Sequence, residues 1–344
     1  MTKEHQYKTA FISSLGQFCY QRMGQGLTGG PATYTRLKDL VTGPIPSLNQ
    51  EPALSDISDE TMFGSFMDDD FGGASEEENL FNFLHNHYFP RQAWARLTFS
   101  PPKCRFFVKT LDILGHLRTV DGLRPSISKM TAIRDYPDPT TEDELLRFLY
   151  MLPFLKSMLP GRADLCLIMK RAIITSARAS TRKSGPSKCT SNFEWNKPQK
   201  DAFQQIKHAI TSNTLSGGRP DLQYHLATDA SKTGIGGVLF QLPDHSMGTI
   251  AGKKTIGAEA IVMFLSFRLE DRETRYHTTE REALAVVRCL KEVRWLVLGS
   301  AHPVLLYTDH QALVTLLKSD ETRDRIACWQ YQLSEYNVEY IHVP

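Results

Sequence analysis

The spacing of apolar residues divides the chain into stretches of different character. Residues 1–42 mix short β-type runs with glycines. From Glu76 onward, Leu80, Phe81, Leu84 and Tyr88 recur at helical spacing. Residues 97–124 alternate in strand fashion, and ILGH followed by VDG predicts two short strands around a turn. Pro137 and Pro139 interrupt the chain before TTEDELLRFLYMLPFL. There Thr140 or Thr141, ahead of Glu and Asp, marks a helix start, and Leu145, Phe148, Leu149 and Leu152 form its buried stripe. Phe193-Glu194-Trp195 opens a further helix, KPQKDAFQQIKHAI.

From about Asp221 the texture changes. YHLATDAS reads as a strand ending in an acid, GIGGVLFQL as a second strand after a glycine turn, and TIGAEAIVMFLSFRL as a third strand region with an irregular insert. TTEREALAVVRCLKEVRWLVLG reads as one long helix, begun by Thr and ended by Gly299. PVLLYTD is a short apolar strand, again ending in Asp, and HQALVTLLK the next helix. Two stretches lack periodicity. Residues 44–60 are proline-containing and acidic, a loop or insertion. Residues 170–190 carry Lys170, Arg171, Arg178, Arg182, Lys183 and Lys188 with no acid, as in a flexible basic linker or an insertion between helices. Trp195, Trp295 and Trp329 read as core anchors.

Composition narrows the class without naming a partner. The 344 residues are 41% hydrophobic and 23% charged, which excludes wholesale disorder, collagen-like repeats and a small disulfide scaffold. Length predicts two or three domains at ~100–200 residues each. The 40 basic and 38 acidic residues nearly cancel. Six cysteines are scattered without a C-x-x-C pair, as expected of free thiols in a reducing compartment with no zinc knuckle. The start has no signal-peptide core, and no apolar window reaches the ~18 residues of a membrane span. An intracellular protein with no membrane partner is expected, in the cytoplasm or the nucleus.

Chemistry concentrates in two sets of acids. Phe66-Met67-Asp68-Asp69-Asp70 places adjacent carboxylates between apolar residues, which is costly unless a cation neutralises them. Oxygen ligands suit Mg²⁺, and two such ions can clamp both oxygens of a phosphoryl transfer. A solvated acidic turn accounts for the same residues. The second set, Asp229, Glu282 and Asp309, lies at two strand ends and on the helix between them, so that in a mixed sheet the three can converge on one edge. Each also has a plain account. Thr279 with Glu282 fits a capping box, Asp309 fits the cap of the helix near Gln311, and Asp229 fits a turn before Gly234. His85-Asn86-His87 sits at helical spacing and reads as surface or packing.

The order of these motifs resembles the Pol polyprotein of gypsy-type (Ty3-like) long-terminal-repeat retrotransposons, in its reverse transcriptase and RNase H regions. Lys8–Phe11 and Arg22–Leu37 resemble the segment shaping the nucleotide pocket, which implies nucleotide-binding roles for Arg22, Gln25 and Gly26. Phe66–Asp69 resembles the hairpin with paired catalytic aspartates. Ile113–His116 with Asp121–Pro125 resembles the primer-grip hairpin, implying that role for Leu114, Gly115 and His116. TDASKTGIGGVL, YHTTEREALAVV and YTDHQAL resemble the first three acidic motifs of RNase H.

The resemblance implies an α/β (α+β) fold in three parts. These are a partial palm over 1–125 with a loop insertion at 43–62, thumb and connection helices over 126–214 with the basic linker 170–190, and a truncated RNase H-like mixed-sheet domain over 215–344. It implies Mg²⁺ (or Mn²⁺) held by Asp68 and Asp69 and, separately, by Asp229, Glu282 and Asp309. The implied partners are an RNA–DNA hybrid, an RNA template with a DNA primer, and dNTPs. Asp70 is an extra acid to which the family pattern gives no role. The family's first palm carboxylate and its fourth RNase H acid are not in this sequence, so polymerase activity is expected to be lost and RNase H activity weak at best. An inactive remnant that keeps only nucleic-acid binding is the alternative. A host nuclease of RNase H-like fold with an accessory domain is a third reading.

Overall fold

The computed structural model describes residues 2–24, 26–44, 52–57, 61–119, 122–180, 193–219, 221–242, 261–309 and 324–343. The chain divides into two compact units, Met1–Val108 and Lys109–Pro344. The sequence boundaries at 125 and 214 both fall inside the second unit.

In the first unit β1 (Phe11–Ser13) and β2 (Gly16–Phe18) form an exposed antiparallel pair. Helix α1 (Gly30–Thr42) follows, where the sequence suggested only glycines and short β-type runs. Pro31 sits in its first turn, where a missing N–H costs nothing. A hairpin of β3 (Thr61–Phe66) and β4 (Asp69–Ala74) pairs Phe66 with Asp69. Helix α2 (Glu77–Phe83), a π-helical turn Leu84–Tyr88 and α3 (Phe89–Trp94) run on without a break, as the spacing of Leu80 to Tyr88 predicts. Leu54, Phe83 and Tyr88 make a small core, with Phe63 and Leu84 against it.

Arg91 of α3 is fully buried and ties this unit together. Its guanidinium donates to the carbonyls of Val41 (3.3 Å), Thr42 (3.4 Å) and Gly43 (2.7 Å), and to that of Pro52. The first three are end carbonyls of α1, which a helix cannot satisfy by itself. Arg91→Met is therefore expected to lower the unit's stability by about 3 kcal/mol, by stranding buried acceptors. Urea unfolding followed by hydrogen exchange of residues 30–43 measures it, and a midpoint equal to wild type would refute the clamp.

The second unit begins with a three-stranded antiparallel sheet of β5 (Leu111–Ile113), β6 (His116–Thr119) and β7 (Gly122–Pro125). The strand alternation expected from residue 97 starts only at 111, because Pro101 and Pro102 lack ladder donors and sit in a 3₁₀ turn. Leu114 and Gly115 turn between β5 and β6 with φ of 49° and 72°, the left-handed pair that tight hairpins require. Among the described residues four α-helices follow: α4 (Ile127–Arg134), α5 (Glu142–Met151), α6 (Arg162–Ser180) and α7 (Lys197–Ser212). Thr141 caps α5 through the Glu144 N–H at 3.3 Å, and Leu145, Phe148, Leu149 and Leu152 are buried as expected. The stretch expected to be a linker from residue 170 is helical to Ser180. Its remainder, 181–190, lies outside the described residues.

The rest of the unit is β8 (Tyr224–Ala230), β9 (Gly234–Gln241), β10 (Ile261–Arg268), α8 (Thr278–Glu292), α9 (Arg294–Val297), β11 (Val304–Thr308), α10 (Asp324–Leu333) and β12 (Val338–His342). The strands form one mixed sheet in the order β10-β9-β8-β11-β12. β9 runs antiparallel to both its neighbours, and β8, β11 and β12 are parallel. Alternation along β8 sends Tyr224 and Leu226 to the face under α8 and α10, beside Val286, Leu290 and Trp329. His225 goes to the other face, stacked on Phe240 and Tyr307 with its Nδ1 2.8 Å from the Tyr307 hydroxyl.

The long helix expected over 278–299 stops at Glu292, and the single turn α9 carries Trp295 outward, where it is 72% exposed. Trp295 is thus no core anchor, whereas Trp329 is buried and Trp195 half-buried. Cys19, Cys104, Cys166, Cys289 and Cys328 are free thiols. Among the described residues no helix is long and apolar enough to cross a membrane.

Candidate carboxylate centres

The first centre is the tip of the β3–β4 hairpin. Met67 and Asp68 form the turn, and Met67 takes φ 51°, which matches the twist of tight hairpins. Asp68 and Asp69 are both exposed. Asp70 is not: its carboxylate pairs with Lys38 of α1 and accepts the Tyr88 hydroxyl at 2.6 Å. Elsewhere in this unit, Arg22 and Gly26 are exposed, and Gly26 turns the chain with φ 85°. A hollow of about 480 Å³ beside them is lined by Thr9, Ala10, Tyr20, Gly24 and Leu27. Gln25 lies outside the described residues.

In the second unit, the turn Leu114-Gly115 presents His116 against Phe154, with ring centroids 4.6 Å apart. The Lys129 ammonium lies over the Phe154 ring, 2.9 Å from its centroid. Burial holds the His116 imidazole below its ordinary pKa.

The second carboxylate centre is built by the parallel pair β8 and β11. Tyr307 is in register with Ala227, so Asp309, one residue past β11, falls level with Asp229 near the end of β8. Both acids are exposed at the carboxyl ends of adjacent strands. Helix α8 crosses behind them and supplies Glu282, which is 4% exposed. The Glu282 carboxylate accepts the Ala230 N–H, and its Oε2 is buried without a hydrogen-bond partner. Burial first, then the charges of Asp229 and Asp309, push its pKa up to about 7. This coupling places the three acids around one region.

Capping does not explain Glu282. His277 caps α8, with its Nδ1 accepting the Thr279 N–H at 3.4 Å, and Glu280 completes the box by accepting the His277 N–H at 3.0 Å. Nor is Asp229 a turn residue, since it pairs with Gly236 within the sheet. The helix suggested beyond Asp309 lies outside the described residues.

Arg281 was not singled out by its sequence position. Its guanidinium donates to the Ser231 carbonyl at 2.8 Å, while Glu282 takes the Ala230 N–H. Consecutive α8 residues thus hold consecutive backbone groups just past Asp229. On the far side, His342 of β12 brings Nε2 within 3.1 Å of the Asp309 carbonyl.

Among the described residues, no three His, Cys, Asp or Glu side chains are gathered tightly enough to hold a metal ion as they stand. The donor chemistry nevertheless fits a hard divalent cation, since all three groups are carboxylates and one buried oxygen lacks a partner.

Residues 219–336 match the model of the RNase H-like domain found in reverse transcriptase. The motif resemblance is borne out: the homologues are Pol polyproteins of gypsy-type and Tf2 retrotransposons. Over 99% of the chain there is 29% identity to the retrovirus-related Pol polyprotein from transposon 297 of Drosophila melanogaster. Over 73% there is 27% identity to that from transposon gypsy of the same species. Over 99% there is 21% identity to the transposon Tf2-3 polyprotein of Schizosaccharomyces pombe. The chain spans 28%, 22% and 23% of those proteins' lengths.

The fold is similar to part of the foamy viral protease-reverse transcriptase. Its complex with dsDNA has a TM-score of 0.71 at 16% identity, covering 100% of this chain and 64% of that one. Its complex with an RNA/DNA hybrid has a TM-score of 0.68 at 17% identity, covering 99% of this chain and 42% of that one.

Proposed function

We propose that the second unit cleaves the RNA strand of RNA–DNA hybrids, and that the hairpin of the first is the acid pair of an RNA-directed DNA polymerase. The observation that carries the first reading is Glu282, buried without a partner for Oε2 between strand-end acids that raise its pKa. Asp229, Glu282 and Asp309 would hold divalent ions, which when bound supply an activated water and charge neutralisation at the scissile phosphate. Glu282, raised to about 7 by burial and then by Asp229 and Asp309, keeps a proton in part near pH 7. Glu282, accepting the Ala230 N–H, and Arg281, donating to the Ser231 carbonyl, fix the chain beside Asp229, so that its carboxylate meets the substrate backbone in one position.

For the polymerase reading, Asp68 and Asp69 would hold the ions. Arg22, Gln25 and Gly26 would border the incoming dNTP, and Leu114, Gly115 and His116 would hold the DNA primer on its RNA template. Its support is a turn that leaves two adjacent carboxylates exposed at a hairpin tip.

The test is incubation of the purified chain with an RNA–DNA hybrid labelled on the RNA strand, with Mg²⁺ or Mn²⁺. Ion-dependent cleavage of the RNA strand, unchanged by Asp68→Asn, is the expected outcome. Hybrid binding that weakens steeply with salt but gives no cleavage from a folded chain would overturn the nuclease reading and leave the inactive remnant.

A further inference from the structure

Asp70 follows the paired aspartates directly, yet it is held apart from them. Successive residues of a strand face opposite ways, so Asp70 departs from the face of Asp69. Its Oδ2 receives two donors from separate helical segments. Lys38 reaches it from the middle of α1, and the Tyr88 hydroxyl from the end of the π-helical turn at 2.6 Å. Lys38 and Tyr88 are each 5% exposed. The Tyr88 ring also packs on Phe63 of β3, with centroids 5.8 Å apart, so both strands of the hairpin are gripped. Tyr34 lies one turn before Lys38 on α1 and feels the charges of both Asp70 and Asp68, which puts this helix face beside the hairpin tip. Among the described residues the hairpin is a sheet of two strands, an arrangement of marginal stability by itself.

We infer that Lys38, Asp70 and Tyr88 form a latch that positions the Asp68-Asp69 turn, and that Asp70 is a positioning residue and not a third metal-binding acid. Committing the third carboxylate to a buried lysine leaves two exposed acids at the tip and removes the repulsion that a third would add. The latch rests on the Lys38 and Tyr88 contacts to Asp70 alone. Its consequence for metal binding rests on the polymerase reading of Asp68 and Asp69.

Hydrogen exchange of the full chain, read on peptides covering residues 61–74, tests both parts. Without metal, Asp70→Asn and Lys38→Met are expected to speed exchange there about tenfold or more, and Tyr88→Phe a few-fold, with residues 224–241 unaffected. Exchange at the wild-type rate in all three variants overturns the latch. Tyr88→Phe removes a single oxygen, so it keeps the test decisive if either charge variant unfolds the first unit.

The second arm adds Mn²⁺. Protection of 61–74 is expected in wild type, lost in Asp68→Asn and Asp69→Asn, and shifted to several-fold higher Mn²⁺ in Lys38→Met. A metal-ligand role for Asp70 predicts the reverse for Lys38→Met, because a competing cation is gone, and tighter Mn²⁺ binding there would overturn the assignment. Wild type without Mn²⁺ protection would overturn the metal reading of Asp68 and Asp69, and with it any ligand role for Asp70. The metal-free arm then decides the latch by itself.

Discussion

Replacing Asp229 with asparagine is expected to slow ion-dependent cleavage of the RNA strand at least ~100-fold while leaving the fold intact, since losing a metal ligand removes several kcal/mol and each ~1.4 kcal/mol is tenfold in rate. Asp229 is exposed at the sheet edge, so the change leaves no cavity and breaks no strand pairing. Asp309→Asn is expected to act alike, because register places it level with Asp229. The readout is single-turnover cleavage of a labelled hybrid beside a thermal melt of each variant. Residual cleavage within about threefold of wild type in Asp229→Asn would sink the assignment of the centre. Loss of cleavage together with a lowered melting temperature would mark a folding defect instead.

A pH-dependent stability follows from Glu282. Its carboxyl is raised from 4.5 to about 7, chiefly by burial and then by Asp229 and Asp309. A raised acid binds its proton more tightly folded than unfolded. Its contribution is therefore complete below about pH 4.5 and disappears as pH rises through about 7. The metal-free protein is expected to lose about 3 kcal/mol at most across that window, at about 1.4 kcal/mol per unit of pKa. Glu282→Gln is expected to flatten the profile and to melt above wild type at pH 8 in EDTA. Added Mg²⁺ or Mn²⁺ is expected to recover the wild type at pH 8 and to do little at pH 5, where the acid holds its proton. Melts from pH 5 to 8, with EDTA or with the ion, measure all of this. Parallel EDTA profiles for wild type and Glu282→Gln would refute it.

The local rules that worked were those that need only neighbours in sequence. The stripe from Leu145 to Leu152 lies buried because four-residue spacing puts those side chains on one helix face, and Thr141 caps that helix as its short hydroxyl chain permits. The strands YHLATDA and VLLYT form because β-branched and apolar runs suit a sheet covered on both faces. Their terminal acids were visible for the same reason. Local rules misjudged α1, whose glycine-rich start hides a helix, and Trp295, whose exposure depends on where α8 breaks.

The sequence by itself determined the mixed helix-and-sheet class, the order of the motifs and which carboxylates are candidates. Only the tertiary structure decided which acids lie near one another and which do not. Asp229 and Asp309 meet through parallel register between strands about 80 residues apart. Glu282 escapes the capping role because His277 takes it. Asp70 leaves its two neighbours because a lysine and a tyrosine from distant helices claim its oxygen. Charge, burial and pKa depend on distances through space, and chain order does not carry those distances until the sheet and the helices have packed.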